Sequence, residues 1–285
     1  MKIFKRTILL PVPADQAFRW HERDGAFGRL TPPWESVELI DAQGGIRDGA
    51  HVNVRVSIAG PIGFTAVYRH TEYAKGKQFV DIQEKGPFRS WRHEHLFHAE
   101  SATSCRLEDR ITFEPPLCAG PIVRKRLESM FRYRHDITLA DLAYEQEEGP
   151  VNAKTVLVSG ATGLVGRALC ARLTTRGHTV KRLSRRPGGI RWNPTQGELD
   201  ENALEGVDAV VHLAGEAIAQ RWTASARKRI LESRVESSRL LANAILRSRN
   251  KPAYISASGI NLYGSVKSDP IHEQSEPGDG FLAEV

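Results

Sequence analysis

Apolar and polar residues alternate over short segments through the first half of the chain. Such alternation places every second side chain on one face of a half-buried β-strand. It predicts strands at residues 3–10, 37–41, 51–58, 64–72, 79–83, 90–99 and 105–113.

Helical spacing replaces this alternation in two places. Residues 15–20 have the pattern of a short helix start, and apolar residues from Val123 to Tyr144 recur at helical intervals. One strand, short helices, a run of antiparallel strands and a long final helix predict an α+β domain over residues 1–148.

The pattern changes after a polar, acidic segment at residues 145–152, which Gly149 and Pro150 interrupt. This segment is the predicted linker to a second domain, residues 149–285. In that domain, strands alternate with helical segments, which predicts an α/β, Rossmann-like doubly wound parallel sheet. The predicted strands are residues 156–158, 178–183, 208–213 and 253–256, with a brief edge strand at 190–192.

Two helices are expected in the second domain. The first begins at Leu164 and ends before Gly177, which stands where a C-terminal cap belongs. Thr223 can cap the second helix. The predicted buried stripe of that helix is Leu231, Val235, Ala242 and Ile245.

The turn between the first strand and first helix of this domain has the composition of a dinucleotide site. Glycines 160, 163 and 166 let the backbone approach a pyrophosphate, and the helix N-terminus supplies unpaired N–H groups and a partial positive charge. The alternative is an ordinary structural turn. The candidate cofactor-binding residues here are Gly160, Ala161, Thr162, Gly163, Leu164 and Val165.

The end of the second strand favours NADP(H) over NAD(H). Sites that prefer NAD place a carboxylate about 20 residues beyond the glycines, where this chain has Ser184, Arg185 and Arg186. A hydroxyl and two guanidinium groups suit a 2′-phosphate. A structural surface cluster is the alternative.

Small residues end the next strand and let its backbone lie against the adenine ribose. Together with the end of the last strand, they complete the candidate cofactor site. These residues are Leu213, Ala214, Gly215, Glu216 and Ser256.

Composition and cysteine usage restrict the protein class. The 285 residues are 40% hydrophobic and 26% charged, which is enough for two domains with cores and excludes disorder. No apolar run approaches the roughly 20 residues of a membrane helix, and no signal peptide is expected. Cys105, Cys118 and Cys170 have no metal-binding spacing and form no even disulfide set, which fits a reducing cytoplasm.

The net charge of +6 is modest, and its densest cluster lies at residues 181–191. This cluster has no interleaved aromatic residues, so a cofactor phosphate explains it better than nucleic acid does. Neither a nucleic-acid nor a membrane partner is predicted.

Histidines stand out on the predicted strand at residues 90–99. His93 and His95 share a face with Trp91 and Phe97, a pattern that favours a core or cavity wall over catalysis. Glu94, Asp109 and Arg110 are interpreted as cross-strand charge pairs on the solvent face.

The order of elements in the first half, with the segments at residues 86–95 and 130–135, resembles the START-like superfamily of the polyketide cyclase/dehydrase type. The resemblance implies a helix-grip fold, in which a curved sheet wraps the long helix and encloses an apolar cavity. It also implies an apolar ligand in that cavity.

Several motifs in the second half resemble the extended short-chain dehydrogenase/reductases. They are residues 159–166, 213–215, 256–258 and 263–264. Residues 183–187, 192–194, 221–222 and 279–285 are similar to the NAD-dependent epimerase/dehydratase-like branch, whose bacterial members often carry a START-like domain in front. The resemblance implies NADP(H) and a small-molecule substrate.

The catalytic residues of this superfamily are matched only in part. Ser258 is the candidate for the Ser or Thr that positions the substrate oxygen. The expected proton-donating Tyr falls on Phe281 and the expected Lys on Val285, and phenylalanine donates no proton.

Three functions therefore remain open. The first is an NADP(H)-dependent oxidoreductase or epimerase; the second is a non-catalytic NADP-binding sensor or carrier of an apolar ligand; the third is an interaction protein that has kept the fold. The second domain is expected to be incomplete, because the strands and substrate lobe that finish such a sheet would need on the order of a hundred more residues.

Overall fold

The computed structural model describes residues 1–59, 62–116, 119–264 and 270–285, so Cys118 lies outside the described residues. Two compact units are present. The first is Met1–Val151 with Thr174–Gly177, and the second is Asn152–Leu173 with His178–Val285. Among the helices described, none is both long enough and apolar enough to cross a bilayer.

An antiparallel sheet dominates the first unit. Over the described ranges it contains seven strands in the order β1-β7-β6-β5-β4-β3-β2. All seven strands were predicted from alternation, and the predicted ends differ from the observed ones by at most two residues. They are β1 (Lys2–Leu10), β2 (Val37–Gln43), β3 (His51–Ala59), β4 (Ile62–Ala74), β5 (Gln78–Lys85), β6 (Ser90–Ala99) and β7 (Cys105–Glu114).

Helices pack on this sheet and form its core. They are α1 (Ala14–Glu22), α2 (Ala26–Leu30) and α3 (Gly120–Glu148). Leu127 and Phe131 of α3 pack against Phe4, Ile111 and Phe113 of β1 and β7. The long final helix is confirmed, whereas the five-residue α2 was too short for periodicity to indicate.

The second unit is built on a largely parallel sheet. Its strands are β8 (Thr155–Ser159), β9 (Thr179–Ser184), β10 (Ile190–Asn193), β11 (Glu198–Leu199), β12 (Ala209–His212) and β13 (Ala253–Ser256). Within the part of the chain described, their order is β11-β10-β9-β8-β12-β13. β10, β9, β8, β12 and β13 are neighbours in this order and run parallel. Among the described strands of this sheet, only the short β11 is antiparallel to its neighbour, β10.

Helices connect β8 to β9 and β12 to β13, and a short helix follows β13. They are α4 (Leu164–Thr175), α5 (Ala224–Arg247) and the short α6 (Phe281–Glu284). The predicted cap of α5 is confirmed, since Thr223 Oγ1 accepts a hydrogen bond from Ala226 N at 3.2 Å. Gly177 follows α4 in the left-handed conformation, with φ of +88°, as a C-terminal cap requires.

The predicted buried stripe of α5 is wrong in its first half. Leu231 and Val235 are each 38% exposed. The buried residues of α5 are Ala226, Ile230, Ser237 and Leu241. The prediction followed residue size and overlooked Ser237, which is buried because its hydroxyl is hydrogen-bonded.

Candidate functional site

The strand order of the second unit reverses direction at β8. From β8 the chain adds β9 and β10 on one side of the sheet, and then β12 and β13 on the other. The connections therefore leave the carboxyl ends of β8 and β12 in opposite directions. Such a reversal is where open α/β sheets bind ligands.

Two glycines allow the turn after β8 to close tightly. Gly160 has a φ of +70°, and a Cβ at this position would lie 2.7 Å from the carbonyl carbon of Leu213 and 2.8 Å from the amide nitrogen of Ala214. A Cβ on Gly166 would overlap the carbonyl oxygen of Gly160. The first turn of α4 therefore packs directly on the backbone of the turn, as only glycine permits.

The N-terminus of α4 is open to solvent. Leu164 is 74% exposed and Val165 is 63% exposed, although both are apolar. Thr162 and Gly163 are exposed beside them, whereas Ala161 is buried against the sheet. The first N–H groups of a helix have no partner within it, so this end presents donors and a partial positive charge to an anion.

A buried hydrogen-bond chain fixes the ends of β8 and β12 below this turn. Ser237 Oγ donates to the carbonyl of Ser233 at 2.5 Å, so it accepts from His212 Nε2 at 2.8 Å. His212 Nδ1 then accepts from Ser159 Oγ at 2.6 Å, and Ser159 Oγ accepts from Leu213 N at 3.1 Å. Burial lowers the pKa of His212, and the nearby Arg234 charge lowers it further, which keeps the imidazole neutral.

The predicted phosphate-binding residues lie at the end of β9 and directly after it. Arg185 and Arg186 are exposed, and Ser184 is half-buried. Ser184 Oγ accepts a hydrogen bond from Arg186 N at 3.0 Å, which shapes the start of this loop. The side chains of Arg185 and Arg186 therefore extend from a backbone turn that this hydrogen bond holds in place.

The loop after β12 is held by α5. Glu216 N donates to Ser233 Oγ at 2.9 Å, and Arg234 Nη1 donates to the carbonyl of Glu216 at 3.2 Å. Gly215 leaves room for this guanidinium, because a Cβ there would lie 3.2 Å from Arg234 Cζ. The Leu213–Ala214–Gly215 backbone therefore follows β12 in a defined path.

The remaining predicted site residues lie at the carboxyl end of β13 or after it. Ser256 ends β13 opposite His212, and Ser258 is exposed two residues later. Phe281 begins α6, where its ring centroid lies 5.6 Å from that of Trp222 and Arg227 Cζ lies 5.4 Å from it. Val285 ends α6 as its C-cap residue.

The first unit contains a separate cavity of about 560 Å³. Valine, leucine and phenylalanine side chains of β2, β3 and β4 line part of it. The polar lining comes from His21, Asp81, His93, His95 and Arg134, among others. The interpretation of His93 and His95 as part of a cavity wall is confirmed.

The solvent-face interpretation of Asp109 is wrong, because its side chain is buried with 3% exposure. It shares the inward face of β7 with Leu107, Ile111 and Phe113, which occupy every second position of the strand. Its carboxylate accepts from His93 Nε2 at 2.8 Å, His95 Nδ1 at 2.9 Å and His135 Nε2 at 2.6 Å. Glu94 and Arg110 are half-buried and lie in register across β6 and β7. Their ion pairs are with residues of their own strands, Arg92 for Glu94 and Glu108 for Arg110.

Opposite charges decide the protonation of this buried cluster. Burial alone would lower the pKa of His93, but the carboxylates of Asp81 and Asp109 raise it to about 9. Burial would raise the pKa of Asp109, but hydrogen bonds from the three histidines hold it well below its usual value. His21 differs, because burial outweighs its hydrogen bond to Ala17 and lowers its pKa to about 4.

Comparison with known proteins shows a family to which the second half of the chain is similar. Residues 156–280 match the NAD dependent epimerase/dehydratase family. The epimerase family protein Mb2239 of Mycobacterium bovis is 38% identical over 135 residues, which cover 46% of this chain and 44% of that protein. Residues 156–280 are thus similar to this family, and the name epimerase-family domain denotes these residues.

Further relatives extend the comparison. Human epimerase family protein SDR39U1 is 38% identical over 130 residues, 44% of this chain and 43% of that protein. Its isoform 2, in a crystal structure with NADPH, is 36% identical over 46% of this chain and 45% of that one, with a TM-score of 0.40. The chain thus spans less than half the length of these relatives.

One solved structure matches both units. The nucleoside-diphosphate sugar epimerase from Corynebacterium glutamicum is 33% identical, with a TM-score of 0.82, over 99% of this chain and 60% of that chain. Residues 58–141 also match a domain of unknown function, DUF8410. The two-unit α/β architecture is therefore shared with a protein of the epimerase type.

The hydrogen-bond chain of the epimerase-family domain gives a first testable prediction. We expect Ser159→Ala to lower the free energy of unfolding by about 1–3 kcal/mol, because it removes the hydroxyl that donates to His212 Nδ1 and accepts from Ala214 N. Leu213 N keeps its second acceptor, the carbonyl oxygen of Ser159. Urea unfolding followed by circular dichroism measures the loss. Ser225→Ala removes an exposed hydroxyl from the first turn of α5 and serves as the control; equal stability of both variants would contradict the role of Ser159.

Proposed function

We propose that the epimerase-family domain is a Rossmann-type fold that binds NADP(H) across the turn between β8 and α4. The observation that carries this proposal is the glycine contact at Gly160 and Gly166, where added Cβ atoms would meet backbone. A turn this tight brings the N-terminus of α4 to the crevice between β8 and β12. A pyrophosphate fits this position, because the exposed first turn offers it N–H donors.

Preference for NADP(H) is proposed from the side chains after β9. The family description supports a nicotinamide dinucleotide, and the choice between the two cofactors depends on the group that meets the adenine ribose. Arg185 and Arg186 are exposed there, with the Ser184 hydroxyl beside them. Guanidinium groups form charge-assisted hydrogen bonds to a 2′-phosphate, which NAD lacks.

We further propose an oxidoreductase or epimerase reaction on a small molecule. NADP(H), when bound, supplies or accepts a hydride at its nicotinamide. Ser258 lies beyond the carboxyl end of β13, so its hydroxyl can orient a substrate oxygen by hydrogen bonding. Phe281 shapes an apolar wall with Trp222 and donates no proton.

A second candidate function follows from Phe281. A domain without the Tyr and Lys pair can bind NADP(H) without turnover and report its occupancy. In that case the first unit, which we propose to be START-like, holds an apolar molecule in its cavity of about 560 Å³. This size is within the range of pockets for small organic ligands.

The experiment that tests the cofactor site is a titration of the purified chain with NADPH and NADH. We expect NADPH to bind at least about tenfold more tightly than NADH, and Arg185→Ala to remove about tenfold of the NADPH affinity, as loss of a charge-assisted hydrogen bond does. NADH binding should change little in this variant. Intrinsic cofactor fluorescence reports both titrations.

Arg249→Ala is the matched control, because Arg249 is exposed between α5 and β13, at the opposite edge of the sheet from the glycine turn. Equal affinity of the wild type for both cofactors would contradict the phosphate assignment. Oxidation of NADPH with candidate carbonyl substrates then separates the reductase from the sensor, since only the reductase consumes NADPH.

A further inference from the structure

Three ligand-type atoms converge on the wall of the cavity in the first unit. Asp81 of β5 pairs in register with His93 of β6, and His95 follows His93 on the same face. Asp81 Oδ2 lies 3.1 Å from His93 Nδ1 and 3.3 Å from His95 Nε2. All three atoms lie within 4.8 Å of one another.

The far nitrogens of both imidazoles are held by one carboxylate. Asp109 Oδ1 lies 2.8 Å from His93 Nε2 and 2.9 Å from His95 Nδ1, and Asp109 Oδ2 lies 2.6 Å from His135 Nε2. Metal-binding histidines typically donate their second N–H to a carboxylate in this way, which orients the ring and directs the other lone pair at the metal. The phenyl ring of Phe79 stacks on His95 with centroids 4.0 Å apart and fixes its plane.

We propose that Asp81, His93 and His95 bind a divalent transition metal, with Asp109 as the carboxylate that orients both imidazoles. Two imidazole nitrogens and one carboxylate oxygen suit zinc and iron(II). The separations of 3.1 Å and 3.3 Å match ligand atoms that each lie about 2.0–2.2 Å from a common ion.

The site has the open side that a reactive metal needs. Asp81, His93 and His95 all line the cavity, so an ion bound between them would face its interior. Three protein ligands leave a coordination position for water or for a ligand oxygen. The metal is thus positioned to contact whatever occupies the cavity.

The charges around the site balance a divalent ion. Asp81 and Asp109 contribute two negative charges; the side chain of Asp109 is buried and that of Asp81 is 15% exposed. Imidazole binds a metal ion in its neutral form, so the ion competes with protons at this site. Arg134 lines the same cavity, is half-buried and donates from Nε to the carbonyl of Leu30.

The test is titration of the full chain, stripped with a chelator, with Zn²⁺ alone by calorimetry and with Co²⁺ alone by visible absorption. We expect about one ion per chain and cobalt bands typical of nitrogen and oxygen ligands. His95→Ala and Asp81→Asn should lose stoichiometric binding, and Asp109→Asn should weaken it by about 10–100-fold.

His98→Ala is the matched control, because His98 lies on the same strand but its side chain is 42% exposed on the other face. It should bind as the wild type does. A folded wild type that binds neither ion, or equal binding by His95→Ala and His98→Ala, would overturn the proposal.

A second measurement covers variants that fail to fold. Imidazole signals in the NMR spectrum of the wild type should shift for His93 and His95 on addition of Zn²⁺, while those of His98 and His51 stay in place. Shifts at His98 or His51 alone would overturn the assignment. Asp81→Asn should leave NADPH affinity unchanged, so a failure of the metal proposal can be distinguished from a failure of the proposed NADP(H) site.

Discussion

Gly166→Ala should destabilise the epimerase-family domain by about 1–3 kcal/mol and weaken NADPH binding at least tenfold. The new methyl group would overlap the carbonyl oxygen of Gly160 and lie 2.8 Å from Ala161 Cα. Since these are backbone atoms, α4 has to move away from the turn. The movement displaces the helix N–H groups from the position proposed for the pyrophosphate. Urea unfolding and cofactor titration measure the two effects separately.

Gly259→Ala provides the control for this substitution. Gly259 has a φ of −141°, and a Cβ there would have Asn261 N as its nearest neighbour at 4.0 Å. Its stability should therefore equal that of the wild type. Equal free energies of unfolding for Gly166→Ala and Gly259→Ala would show that α4 does not pack closely on the backbone of the turn. A destabilised variant that still bound NADPH normally would instead contradict the proposed cofactor position.

Asp109→Asn should cost the first unit about 3–5 kcal/mol of folding free energy. The substitution removes the only negative charge that contacts His93, His95 and His135 together among the described residues, and it places an amide N–H₂ against imidazole donors. The exposed Asp136 of α3 offers the same substitution without buried partners. Thermal unfolding should separate Asp109→Asn from Asp136→Asn by many degrees, and coincident transitions would contradict the buried network.

Local patterns predicted most of the fold. Alternation located all seven strands of the first unit, and the glycine turn was located by a strand that runs into Gly160, Gly163 and Gly166. Helical periodicity was less informative in α5, since Leu231 and Val235 are exposed while Ser237 is buried. The reason is a long-range contact: His212 of β12 satisfies the Ser237 hydroxyl, and periodicity within one helix carries no information on that partner.

The buried cluster of the first unit was missed for a similar reason. Asp109 has the same parity as Leu107 and Ile111, so alternation alone indicated its inward face, but its charge suggested solvent. Its partners lie on β6 and α3, at residues distant along the chain. Strand register would have brought them together, because His95 pairs directly with Asp109. A buried polar cluster of this kind can therefore be predicted when the alternation of residues along each strand is combined with the pairing register between strands.

The cavity lining is divided along the sheet. Within the sheet, the histidine and aspartate side chains of the lining come from the central strands β4, β5 and β6, whereas β2 and β3, at one end of the strand order, contribute valines and a leucine. The apolar ligand proposed for this cavity would then lie with a polar end at the middle of the sheet and its hydrocarbon toward the β2 edge. We therefore expect an amphiphile to bind more tightly than a plain hydrocarbon of equal size.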